Sequence, residues 1–244
     1  MNPYSVLYAV PMRGPLFALG LIAFVLIPTA PVPAQARLPI TEKIEWTWSD
    51  RPETPTPGLP NVLLEGDSIT RGYYPAVEKD LSGVANVYLF ATSACSGDPR
   101  LPGQLHDYFR MMGLNFAVVH FNNGMHGWGY TEEQYAAGLP KMVAALRAGA
   151  PGAKLIWAST TPVLHDAANP DGKGSGGATN ARIDARNRLA AAVMRRDGIP
   201  TDDQHALMLK HPDLHNGDVH FTAAGYAVQA SQAEAAIRAA LKER

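Results

Sequence analysis

Apolar positions along this chain follow two rhythms. Short unbroken runs at Val62–Leu64, Asn86–Phe90, Phe116–Phe121 and Leu155–Ala158 have the length of buried strands, and a further strand is expected near Ile199. Between the later runs the pattern turns helical. Thr131–Ala148 opens with Thr131 as N-cap and places Glu132 and Glu133 in the first turn, where the helix dipole favours negative charge. Asn180–Arg196 is rich in Ala, Arg and Leu, and Thr222–Lys242 closes the chain with Thr222 as its cap. Strands alternating with helices predict an α/β protein whose mainly parallel sheet is covered on both faces. Upstream, Ile44, Trp46 and Trp48 alternate with Glu45 and Thr47, the pattern of a short half-buried strand; the two tryptophans are read as stapling a terminal segment to the body. Arg51–Pro60 (RPETPTPGLP) is an extended linker, and Asp171–Gly177 (DGKGSGG) a flexible loop. There is no internal repeat and no sign of a second domain.

The first 36 residues follow a different logic. Arg13 is their sole charge, Leu16–Ile27 (LFALGLIAFVLI) is apolar throughout, and Ala34-Gln35-Ala36 is a small-x-small cleavage site. This is the pattern of a secretory signal. The run is short for a bilayer span, which needs about 20 apolar residues. The expected organisation is therefore a signal peptide over 1–36, a lead-in and linker over 37–60, and one body over 61–244. It implies export to the periplasm or the medium, with no stable membrane span after cleavage. Cys95 is the lone cysteine, so stability must come from packing rather than an intrachain disulfide. With 46% hydrophobic residues, 18% charged residues and a net charge of −1, the chain is neither disordered nor a nucleic-acid binder.

In a parallel sheet the site lies beyond the carboxyl ends of the strands. After the first run comes Gly66-Asp67-Ser68-Ile69-Thr70, with Ser68 on the strand-to-helix turn, although Asp67 and Ser68 also suit a helix cap. After the second comes Ser96-Gly97-Asp98, and after the third Asn122-Asn123-Gly124-Met125-His126-Gly127-Trp128. Near the C-terminus, Asp218-Val219-His220 stands directly before the last helix. A histidine there can take a serine proton while a carboxylate orients its ring.

These four blocks, in this order, resemble the SGNH hydrolases, or GDSL-type esterases. GDSIT matches the first block, with Ile69 in place of leucine; Gly97 fits the second. The third keeps its asparagine at Asn122, and a one-residue shift would make Asn123 the functional amide. The last usually reads Asp-x-x-His; here Gly217 stands three before His220 and the acid, Asp218, two before. Either the loop is one residue tighter or the pair Ser68–His220 works with solvent or backbone help. The resemblance spans about residues 61 to 240. It implies a three-layer α/β/α sandwich with a flavodoxin-like sheet and hydrolysis of esters without a cofactor. It also implies an oxyanion hole formed by the Ser68 N–H, the Gly97 N–H and the Asn122 amide. Arg71, His126 and Trp128 are candidate contacts for a small-molecule or carbohydrate ester; the oligomeric state is not legible.

Three rival readings share these residues. His205, His211, His215 and His220 with Asp213 and Asp218 are a set of metal-ligand types, but their spacing is uneven and H-E-x-x-H is absent. An acyltransferase would use the same serine on a sugar acceptor. A non-catalytic glycan-binding protein of the cell envelope would bind without turnover.

Overall fold

The computed structural model describes residues 38–166 and 177–242; the signal region and all but Gly177 of the Asp171–Gly177 loop lie outside them. Six strands form one sheet: β1 (Thr47–Asp50), β2 (Asn61–Gly66), β3 (Asn86–Thr92), β4 (Val118–Phe121), β5 (Lys154–Ala158) and β6 (Thr201–Asp202). Their spatial order is β1-β3-β2-β4-β5-β6. All neighbours run parallel except β1, which lies antiparallel on the β3 edge. The five parallel strands thus have the doubly wound, flavodoxin-like order, whose switch point falls between β2 and β4.

The strands read as continuous apolar runs because both faces are covered. Leu63, Tyr88, Phe90, Val119, Phe121, Leu155 and Trp157 point to one layer. That layer holds α2 (Leu101–Met112), α3 (Glu132–Gly149) and α4 (Asn180–Arg196). Val62, Leu64, Val87, Leu89, Val118 and Ile156 point to the other. There lie α1 (Ser68–Asp80), the short α5 (Gln204–Met208) and α6 (Ala223–Lys242). Each fully buried Leu or Val contributes about 1.5–3 kcal/mol by leaving water. The result is the three-layer α/β/α sandwich.

Local chemistry explains most of the boundaries. Thr131 caps α3 through a full capping box with Gln134. Thr179 caps α4 by accepting the Arg182 N–H. Thr222 Oγ1 accepts the Gly225 N–H at the start of α6. Helix α2 escapes the sequence reading because no side chain caps it; Arg100 stands at its N-terminus and a proline in its first turn. The strand expected near Ile199 shrinks to two residues, since Ile199 itself is spent in the core. β1 begins later than the alternation of Trp46 and Trp48 suggests and is exposed along its length. No described helix is long and apolar enough to cross a membrane.

Candidate active site

The turn after β2 is built for close approach. A Cβ on Gly66 would stand 2.7 Å from the Asn122 carbonyl oxygen and 2.1 Å from Thr70 Oγ1, so only glycine fits. Asp67, buried, is the N-cap of α1: its Oδ1 accepts the Ile69 N–H at 2.9 Å. Its Oδ2 accepts the Met125 N–H at 3.3 Å. Asp67 therefore does the capping, and this frees Ser68, the first residue of α1, to present its hydroxyl. Burial raises the Asp67 pKa, against the charges of His126 and His220 and the two N–H donors.

His220 arrives on a small antiparallel ladder of β7 (His215–Asn216) and β8 (His220–Phe221). The connecting turn needs a left-handed residue, and Gly217 supplies it with φ +75°. His220 Nε2 lies 2.9 Å from Ser68 Oγ across 152 positions of sequence. The two residues whose meeting the sequence reading required are thus joined at the switch point.

The acid is placed otherwise than expected. Asp218 Oδ1 lies 2.9 Å from His165 Nδ1, and both side chains are exposed. Among the described residues no carboxylate reaches His220. The position three before His220 is the left-handed turn glycine, Gly217, and the neighbouring Asp218 is engaged by His165.

The oxyanion candidates are also differently engaged. Asn122 Nδ2 donates to the Ala158 carbonyl at 2.6 Å and to Thr160 Oγ1 at 3.0 Å, while its Oδ1 accepts the Gly124 N–H. Asn123 Nδ2 donates to the carbonyls of Gly66 and Ala94, cross-bracing the loops after β2 and β3. Gly97 packs against Tyr135 and Tyr130. The two asparagines therefore shape the crevice floor.

Around this centre lies a rim. The Arg71 guanidinium stacks 3.8 Å over the Trp48 ring, three residues along α1 from Ser68. His126 Nδ1 lies 2.9 Å from Glu42 Oε2, and Trp46 meets the His126 ring edge-on at 5.7 Å. Burial works against the charged imidazole, but the Glu42 hydrogen bond and the charges of Asp67, Glu42 and Glu45 outweigh it and raise the His126 pKa. Trp128, a candidate contact, is instead buried with Met125, Val163 and Ile183. Above its ring, at 4.0 Å, lies the guanidinium of Arg186.

Arg186 and His120 carry roles the sequence reading did not find. Arg186 is fully buried on α4, donating to the carbonyls of Gly124, His126 and Gly127. It pins the loop after β4 from within. His120, buried in β4, pairs its Nε2 with Asp202 Oδ2 at 2.8 Å. Gln204 and Gln232 also donate to Asp202. Both residues look like surface or strand filler by type, and only tertiary placement gives them partners. The C-terminal histidines are dispersed: His205 lies on Asp184, His215 stacks on Phe221 and His220 is on Ser68. Among the described residues no three His, Cys, Asp or Glu side chains gather as a metal site.

A flavodoxin-like sheet with a serine–histidine pair at its switch point places the molecule among the three-layer α/β/α proteins that carry a serine on the first strand-to-helix turn. The chain belongs to the GDSL-like lipase/acylhydrolase family, whose profile matches residues 65–228. Solved structures agree in fold. A GDSL-like lipase from Bacteroides thetaiotaomicron is 21% identical, with a TM-score of 0.55, over 74% of this chain and 88% of that one. The aryl esterase of M. smegmatis has a TM-score of 0.57 at 15% identity, over 74% of this chain and 99% of its own. A carbohydrate acetylesterase from Sinorhizobium meliloti gives the same four values. No curated protein matches the chain.

Proposed function

We propose that the protein is an exported serine esterase that cleaves short-chain carboxylic esters, those of acetylated carbohydrate in particular. The observation that carries this reading is the 2.9 Å contact between Ser68 Oγ and His220 Nε2 at the switch point. As Ser68 Oγ bonds to the ester carbonyl carbon, its proton passes to His220 Nε2 and the carbonyl π pair moves onto oxygen. The carbon–alkoxy bond then breaks, and His220 returns the proton to the departing alcohol. Water repeats the sequence on the acyl-serine, giving its proton to His220, and the acid leaves. The Ser68 N–H at the start of α1, which has no partner among the described residues, is one donor for the oxyanion; the helix dipole acts in the same direction. Asp218 is assigned no step, because its carboxylate is on His165.

The rim supports sugar alcohols. The exposed rim carries Arg71 and Trp48, a cation and an aromatic plane suited to sugar hydroxyls and ring faces. Similarity in fold to an aryl esterase and a carbohydrate acetylesterase agrees with that substrate range. Export rests on the signal pattern of residues 1–36.

The test is hydrolysis of p-nitrophenyl acetate beside p-nitrophenyl esters of longer acids and acetylated polysaccharides. Acetyl esters are expected to turn over fastest, and Ser68→Ala to lose at least about 10⁴-fold in kcat. Undiminished turnover in Ser68→Ala removes the serine from the reaction.

A further inference from the structure

We propose that the protein binds one water molecule in a cavity behind the nucleophile turn, held by Thr161, Gln204 and Gln229 as a fixed bridge between the loop after β5, α5 and α6. The inference stands apart from the esterase reading, because it concerns the packing behind Ser68 and holds whichever reaction Ser68 performs.

The first observation is the space. A cavity of about 10 Å³ lies where the first turn of α1 meets the ends of β4 and β5. That is the room one water needs. Asp67 and Thr70 stand on one wall, Thr161 on another, and Gln204 and Gln229 on a third. Every residue that lines it is buried.

The second observation is a set of polar atoms that their own chain leaves unpaired. Gln229 is fully buried on α6, and neither its Oε1 nor its Nε2 finds a hydrogen bond among the described residues. Gln204 is 1% exposed and Thr161 4%, and Gln204 Oε1 and Thr161 Oγ1 are likewise unpaired there. Such atoms are rare in folded interiors, because each has given up its bond to water. All three residues line the one cavity. Gln204 and Gln229 also touch directly, since Gln204 Nε2 donates to the Gln229 carbonyl at 3.1 Å.

The third observation fixes the chemistry of the occupant. Gln204 Nε2 gives its hydrogens to Asp202 Oδ2 and to the Gln229 carbonyl, so the atom left over is the side-chain oxygen, an acceptor. The occupant must therefore donate, which excludes an anion. Gln229 offers a donor end and an acceptor end whichever way its amide is turned, and the Thr161 hydroxyl can play either part. A molecule that both donates and accepts matches this set. A metal cation needs more oxygens than these three side chains supply. The carboxylate on the wall, Asp67, spends its oxygens on the Ile69 and Met125 N–H groups. One water donates to Gln204 Oε1, accepts from the Thr161 hydroxyl and meets one end of the Gln229 amide, which makes the three hydrogen bonds common for a buried water.

Its partners come from elements that carry the site. Helix α6 begins three residues after His220, and the facing wall includes the N-cap of the helix that starts with Ser68. The water thus ties the helix behind the histidine to the strand end beside the serine turn.

Two measurements test this. A high-resolution crystal structure is expected to show one density peak at about 2.7–3.2 Å from Gln204 Oε1, Thr161 Oγ1 and the Gln229 amide. In solution, ¹⁷O magnetic relaxation dispersion counts long-lived internal waters. Gln229→Met fills the same length with a side chain that forms no such bond; it is expected to lose the peak and to lower the dispersion amplitude by one water. Thr161→Val keeps the shape and removes one hydrogen bond, so the residence time of the water is expected to fall about tenfold. The valine variant decides the matter if the methionine variant does not fold. A wild type without the peak, an equal amplitude in wild type and Gln229→Met, or an unchanged residence time in Thr161→Val overturns the proposal. So does a peak at about 2.3–2.6 Å from its oxygen neighbours, which is the spacing of a cation.

Discussion

His120 and His220 show how differently one fold treats the same side chain. His120 sits inside β4, sealed from solvent, with Asp202 on one nitrogen and the Tyr73 hydroxyl 3.5 Å from the other. His220 stands exposed on a two-residue ladder, touching Ser68 and no carboxylate among the described residues. By pairing alone, His120–Asp202 looks like the oriented imidazole of a hydrolase. It is nevertheless in the wrong place, because no nucleophile or substrate reaches the interior of the sheet. The comparison teaches that an Asp–His pair is not by itself a sign of catalysis; access and the third partner decide.

The sharpest way to break this contrast is to exchange the two losses. His220→Ala is expected to lower kcat on p-nitrophenyl acetate by at least about 10⁴-fold and to leave the melting temperature within a degree or two, since the ring is exposed. Asp202→Ala is expected to do the reverse. It strands His120 in the core, and breaking a buried pair costs about 3–5 kcal/mol, read by urea titration. Its kcat per folded molecule should stay near wild type. A melting temperature unchanged in Asp202→Ala, or lost in His220→Ala, would erase the distinction.

The same pair makes a pH prediction. Burial pushes the Asp202 carboxyl up, but the hydrogen bond and charge of His120, with Gln204 and Gln232, hold it below the usual carboxylate range. A carboxyl depressed in the folded state adds stability above its unfolded value near 4, and that stability is lost as pH falls through the folded value. Asp202→Asn should therefore lose most at neutral pH and draw level with wild type toward pH 2 in urea titrations.

A smaller effect sharpens the active-site half. Asp218→Ala is expected to lower kcat less than tenfold and stability by less than about 1 kcal/mol, because its partner His165 is exposed with it. In triads whose acid holds the histidine, removing the carboxylate costs about 10⁴. A loss of that size here would mean that Asp218 turns to His220 during turnover.

How legible these features were follows from the range of the forces behind them. Helix α4 was readable to the residue, and α3 to within one, because caps and periodicity are local. Ser68 and His220 were readable because each lies in a short block tied to a strand end or helix start. Asp218 was read as the acid that orients the ring, whereas it meets His165, 53 positions away, a tertiary pairing that no local pattern encodes. Arg186 and Glu42 were missed for the same reason. Their partners lie about 60 and 84 positions away, and neither residue type marks burial. The four-block pattern points to Asn122 at the end of its strand but does not encode the direction of its amide, which the carbonyl of Ala158 in β5 engages.

The smallest predicted effect concerns the residue on which the nucleophile turn is founded. Glu65 precedes Gly66 in β2 and is fully buried. Burial, reinforced by the charge of Asp67 and only partly opposed by the side-chain hydrogen bond of Asn123, raises its pKa well above the usual range and so favours the neutral acid in the folded protein. A carboxyl raised on folding favours the native state below its unfolded value near 4; that advantage fades as pH rises toward the folded value. At neutral pH, unfolding lets Glu65 ionise in water, which pulls the equilibrium toward the unfolded chain. Glu65→Gln has nearly the same shape and nothing to ionise. It is expected to raise the melting temperature at pH 7 to 8, to show little gain at pH 4, and to leave kcat unchanged. A gain that is equal at both pH values would mean that the glutamate is charged in the fold, and that something other than neutral packing holds it behind Ser68.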